Sequence, residues 1–153
     1  MENSTRLIAR TQMQVSGSPL FSISEFSLGG PTQSRAFPVS QFSGDDGVVL
    51  GLYWILNPPK YFDYNICNVN LRDVLSPFMF ADFAYIVAKS LTDEVSESTA
   101  KLTDVGAGVQ HSYGEFKGNI LVTAPTYSDS SSSELTGAVE GSPRLVFDVQ
   151  YSF

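Results

Sequence analysis

Six stretches of the chain alternate side chains with a period of two, the spacing of a β-strand with two unlike faces. Residues 7–15 set Leu7, Ala9, Thr11, Met13 and Val15 against Ile8, Arg10, Gln12 and Gln14. Residues 48–56 are apolar on both sides, with Val48, Leu50, Leu52, Trp54 and Leu56 opposite Val49, Gly51, Tyr53 and Ile55, and Asn57-Pro58-Pro59 ends the run. Residues 77–87 place Met79, Ala81, Phe83, Tyr85 and Val87 against Phe78, Phe80, Asp82, Ala84 and Ile86. Residues 102–113 oppose Val105, Ala107, Val109, His111 and Tyr113 to Asp104, Gly106, Gly108, Gln110 and Ser112. A short turn at Gly114-Glu115 leads into residues 116–124, where Gly118, Ile120, Val122 and Ala124 face away from Lys117, Asn119, Leu121 and Thr123. The cleanest alternation comes last: Leu145, Phe147, Val149, Tyr151 and Phe153 against Arg144, Val146, Asp148, Gln150 and Ser152. These runs predict an all-β chain of about six antiparallel strands. Each has roughly the ten residues that a tilted strand needs to cross a bilayer core.

The connections are unequal. Residues 16–47, 90–98 and 127–143 read as long polar loops, whereas the fourth and fifth strands are joined tightly. Long loops on one rim and short turns on the other are typical of outer-membrane barrels. Residues 60–76 show no clean period, and this long link fits that pattern badly.

With 153 residues the chain is large enough for one domain with a core. Its formal net charge is −7 without a basic cluster, which argues against a nucleic-acid partner. The single cysteine, Cys67, excludes an internal disulfide framework. No apolar run is long enough for a spanning helix, and the polar start lacks the apolar segment of a signal peptide. The lone His111 falls on an apolar face, Asp45-Asp46-Gly47 reads as a turn, and no metal-spaced cluster or phosphate-binding glycine loop is present. We therefore expect neither catalysis nor a cofactor.

Two charged residues stand out. Arg35 is the one cation of a Gly/Pro/Ser-rich loop, within the sequence Ser24-Glu25-Phe26-Ser27-Leu28-Gly29-Gly30-Pro31-Thr32-Gln33-Ser34-Arg35-Ala36-Phe37. It is either a solvated loop residue or a group folded back into a cavity to meet a carboxylate. Asp82 is a carboxylate among apolar neighbours, costly to bury unless a cation or hydrogen bonds meet it.

These residues carry a resemblance. Glu25-Phe26-Ser27-Leu28-Gly29-Gly30 followed by Ser34-Arg35-Ala36-Phe37 is similar to the "Glu-x-Phe-x-Leu-Gly-Gly … Val-Arg-Gly-Tyr/Phe" passage of the two-partner secretion transporters. That is the hemolysin activation/secretion family, related to the barrel-assembly proteins. Gly44-Asp45-Asp46-Gly47 resembles its Gly-Asp-x-Gly, Phe80-Ala81-Asp82-Phe83-Ala84 its Phe-x-Asp-x-Gly strand motif, and Gly106-Ala107-Gly108 its Gly-x-Gly strand. A strand closing on Tyr151-Ser152-Phe153 resembles the C-terminal assembly signal of bacterial outer-membrane barrels. The order of these pieces matches over nearly the whole chain. Three positions depart: Ala36 and Ala84 stand where the family has glycine, and Ser34 where it has valine.

The resemblance implies the last six strands of a sixteen-stranded transmembrane β-barrel, residues 1–153, without the signal peptide, periplasmic domains and upstream strands. It implies a lumen loop over about residues 18–46, with Gly29, Gly30, Arg35 and Phe37 as its motif, and Asp82 and Phe80 as Arg35's partners on the inner wall. Tyr151 and Phe153 would form the assembly signal. The implied function is passage of a partner polypeptide across the bacterial outer membrane, or assembly of outer-membrane proteins. The implied partners are that polypeptide, outer-membrane lipid and the barrel-assembly machinery. Alternation alone also fits a soluble six-stranded β-sandwich with binding loops.

Overall fold

In a computed structural model the chain is described over residues 5–31, 33–66, 69–89, 97–131 and 141–152. Ten strands follow in order: β1 (Arg6–Gln14), β2 (Phe26–Leu28), β3 (Phe42–Gly44), β4 (Asp46–Ile55), β5 (Asn65–Ile66), β6 (Val69–Asn70), β7 (Leu75–Ala88), β8 (Ser98–Tyr113), β9 (Phe116–Ser130) and β10 (Arg144–Tyr151). The six long ones form one antiparallel sheet in the order β1-β4-β7-β8-β9-β10, each paired with its neighbour in the chain sense. The sheet is open, with β1 and β10 at its edges.

The six predicted strands are all present, and β7, β8 and β9 extend furthest beyond their alternation. β7 starts at Leu75 rather than 77, β8 at Ser98 rather than 102, and β9 runs to Ser130 rather than 124. Residues 125–130 escape a period-two reading because the register slips there. Thr103 pairs with Tyr127 and Asp104 with Pro125, so Thr126 is an extra residue, and its hydroxyl donates to the Thr103 carbonyl at 3.0 Å. Such a bulge tolerates a proline inside a strand. The link without a period contains a short 3₁₀ turn (Lys60–Phe62), the β5/β6 ribbon and a single helical turn, α1 (Leu71–Val74), capped by the Asn70 side chain accepting from Arg72 N–H.

The two faces of the sheet differ. On one, every strand presents large exposed apolar side chains: Leu7 and Met13, Leu52 and Trp54, Met79 and Phe83, Val105, Ile120 and Val122, Leu145 and Phe147. Leu7 is 69% exposed and Phe147 74%. Among the described residues no second sheet covers them. The other face is covered by the segment between β1 and β4. Its Phe26, Leu28, Ala36, Phe37 and Phe42 pack on Val49, Ala84, Ile86, Ala100 and Leu102. A second cluster lies lower on this inner face, where Phe78, Phe80 and Leu121 meet Tyr53, Ile55 and Val146. The cover is central: β1 stays exposed along nearly its whole length, and so do most positions of β10.

Candidate functional site

The site begins with the geometry of the covering loop. β2 pairs with β3, so the loop leaves and returns as a small ribbon. At its far end Gly29 has φ +98°, and a Cβ there would lie 2.0 Å from the Pro38 carbonyl oxygen. Only glycine fits that backbone. The tip closes through Phe37 N–H to Ser34 O (3.0 Å) and Gly30 N–H to Phe37 O (3.2 Å). Ser34 sits at φ +48°, where a β-branched side chain is strained, so serine suits this turn better than the valine of the resembled motif.

The base of the loop is tied by Asp45 and Asp46. Asp45 is buried and accepts from the backbone N–H groups of Leu20 and Lys89, the latter at 2.6 Å. Asp46 accepts from Ser16 N–H at 2.6 Å and pairs with Lys89 Nζ at 2.8 Å. Both carboxylates therefore fasten the two ends of the loop to the upper rim.

Between these anchors Arg35 turns down onto the sheet, 6% exposed. Its guanidinium carbon lies 4.2 Å from the centre of the Phe80 ring and 4.6 Å from that of Tyr53. Two aromatic faces thus hold the cation, an arrangement suited to planar guanidinium. Nε donates to Pro31 O at 3.1 Å and stands 3.9 Å from Asp82 Oδ2. That distance is an ion pair without a hydrogen bond, and Asp82 Oδ2 and Arg35 Nη1 have no hydrogen-bond partner among the described residues. Burial lowers the Arg35 pKa from its ordinary value, while Asp82 and then Asp104 act to raise it.

Strand register explains this arrangement. Arg10, Gly51, Asp82 and Asp104 are successive partners across β1, β4, β7 and β8, so they form one row on the inner face. Gly51 leaves the room: a Cβ there would approach Asp82 Oδ1 to 2.8 Å. Asp104 is fully buried, and its Oδ2 accepts from Ala36 N–H (3.1 Å) and the Thr123 hydroxyl (3.0 Å). Arg144 Nη1 donates to Phe37 O (3.1 Å), and Gln33 Nε2 donates to Gln12 Oε1 (2.7 Å). The tip is thereby attached to strands at both edges and in the middle of the sheet. Below it lies a groove of about 390 Å³, bordered by Pro31, Arg35, Phe78, Asn119 and Asp148.

The residues singled out in the sequence are placed as follows. Gly29, Gly30, Arg35, Phe37, Phe80 and Asp82 come together at the loop tip, with Phe37 completely buried. Ala36 and Ala84, which replace glycines of the resembled motifs, are also fully buried, so their methyl groups fill space in the packed cluster. Tyr151 lies on the apolar face at the far edge, its ring 4.7 Å from that of Phe116. Phe153 lies outside the described residues. His111 packs over Gly118 on the neighbouring strand. Tyr53 points to the inner face and stacks on Arg35. Its partner in register is Phe80, which fixes that orientation.

Asp104, Tyr53 and Arg144 were not singled out as parts of the site. The lone-carboxylate argument used for Asp82 applies equally to Asp104, which shares its strand face with two glycines. Comparisons with family models, with curated proteins and with solved structures returned no match.

Proposed function

We propose that this sheet is part of the wall of a bacterial outer-membrane barrel that conducts an unfolded partner polypeptide, with residues 18–46 as a loop lying in its lumen. The observation that carries the reading is the contrast between the faces. One is apolar and uncovered on all six strands, and the other holds a charged row closed over by the Arg35 loop. An exposed apolar surface spanning six strands is far larger than the few hundred Å² that soluble monomers tolerate, and lipid is the solvent that suits it. A shallow groove of about 760 Å³ on this face, between Leu52, Trp54, Met79 and Val122, suits acyl chains. The open edges call for further strands, since closure alone removes unpaired edges.

In this reading the loop narrows the pore. Arg35, held by Phe80, Tyr53, Asp82 and, through the backbone of Ala36, by Asp104, keeps the loop against the wall. Passage is passive, and the wall's role is to offer a water-filled, polar path. The partners are then the translocated polypeptide, the lipid around the wall and the machinery that inserts barrels.

The test is fractionation of cells expressing the chain, followed by gel migration of unheated and heated samples. The reading requires membrane association, release only by detergent, and migration that shifts on heating. A folded monomer stable without detergent contradicts it and favours a soluble β-sandwich.

A further inference from the structure

Two cavities on the inner face run into one another beneath the Arg35 loop. We propose that together they are a docking groove for an extended stretch of polypeptide, held by its main chain rather than by its side chains; this rests on the reading above of the sheet as the wall of a polypeptide pore.

Strand register builds the floor of the groove in rows. Ser76, Gln110, Asn119 and Asp148 are successive partners across β7, β8, β9 and β10. Two residues further down, Ser112, Lys117 and Gln150 form the next row. The row above, Phe78, Gly108, Leu121 and Val146, is apolar. The inner face thus turns polar just below the loop tip. One cavity of about 390 Å³ reaches from Arg35 to these polar rows, and a second of about 390 Å³ continues from them to α1, where Asp73 and Val74 form its side. Gln110, Asn119, Asp148 and Gln150 border both. The irregular link between β4 and β7, which a plain barrel turn does not explain, therefore supplies one wall of the groove. From Gly106, level with Phe80 under the guanidinium, to Ser112 is about 20 Å of strand, the reach of about six extended residues.

The chemistry of the floor points to a main chain. A carboxamide carries the carbonyl and N–H groups of a peptide bond, so Gln110, Asn119 and Gln150 can each donate to and accept from a backbone. Among the described residues none of these three side chains is engaged in a hydrogen bond, nor are those of Ser112 and Lys117, so their capacity is open to a ligand. Lys117 and Arg35 balance Asp148 and Asp73 along the groove, and a strongly charged ligand meets no field of opposite sign. Sugars also suit carboxamides, but a sugar ring is ordinarily held against a free aromatic face. The rings here are occupied: Tyr53 stacks on Arg35 and on Phe80, and Phe78 lies against Phe80. Binding through main-chain hydrogen bonds tolerates many sequences, which suits a groove that a long chain must pass.

The test uses the 153-residue chain in phosphatidylcholine vesicles and a fluorescein-labelled peptide of twelve glycine, serine, threonine and asparagine residues, read by its sedimentation with the vesicles. Binding is expected to vesicles that hold the chain and not to empty ones. Methylating every backbone nitrogen of the peptide removes its donors and keeps its length, and should lower binding at least tenfold. The paired Gln110→Leu and Asn119→Leu substitutions should do the same, with Trp54 fluorescence unchanged as the check on folding. If that variant does not fold, the methylated peptide against the parent chain decides alone. Equal binding of the methylated peptide, undiminished binding to the folded variant, displacement by maltohexaose as readily as by unlabelled peptide, or no uptake by vesicle-inserted chain overturns the proposal and leaves the barrel reading intact. A chain that stays out of vesicles as a folded monomer overturns the barrel reading and this inference with it.

Discussion

Replacing Arg35 by methionine tests whether the charged row needs its cation. Methionine keeps most of the length and the apolar contact with the Tyr53 and Phe80 rings while removing the charge. Arg35 Nε lies 3.9 Å from Asp82 Oδ2, and two unit charges at about 4 Å interact by about 4 kcal/mol at an effective dielectric of 20. Asp82 and Asp104 are direct partners in register, both under 4% exposed, so the variant leaves two carboxylates side by side without the guanidinium above them. Breaking a buried pair by removing one member costs roughly 3–5 kcal/mol. Urea unfolding in detergent micelles, followed by the fluorescence of Trp54, should show a loss of that size. Asp82→Asn in the same chain should recover about 2 kcal/mol, because one of the two uncompensated carboxylates is then gone. A loss below about 1 kcal/mol for Arg35→Met, or a double variant whose loss equals the sum of the two single losses, refutes the coupling.

Two further substitutions test how the loop is held. Asp104→Ala removes the acceptor of Ala36 N–H and the Thr123 hydroxyl, leaving buried donors at a cost of about 1–3 kcal/mol; limited proteolysis should cut residues 29–41 sooner, and unchanged cleavage counts against the contact. Gly29→Ala places a methyl group against Pro38 O at φ +98°, so the tip must rearrange; the expected result is a loss of roughly 1–3 kcal/mol with the same increase in loop cleavage, and a stability equal to that of the parent contradicts the geometry.

What the sequence revealed and concealed follows from the range of each interaction. Alternation assigns every long strand its two faces correctly, because side-chain direction has a strict period of two, and Leu145 against Val146 needs no tertiary information. Strand ends were less legible: Thr126, the bulged residue, shifts the parity just where Ser/Thr-rich composition already suggests a loop. Arg35 and Asp82 were visible as charges in unfavourable surroundings. Asp104 was equally visible but lacked a motif to draw the eye, and Tyr53 was one apolar position in a strand apolar on both sides. Their parts in the site depend on the register that aligns Gly51, Asp82 and Asp104, and register is a property of pairs of strands rather than of either alone.

The central claim is that the uncovered face meets lipid, and Trp54 reports on it directly. It is the chain's single tryptophan, it sits on that face and it is 50% exposed. In vesicles made with phospholipids brominated on their acyl chains, contact quenching of Trp54 fluorescence is the predicted result, with a spectrum shifted to the blue of that in water. An unquenched, water-like emission from folded, vesicle-bound protein would contradict the account.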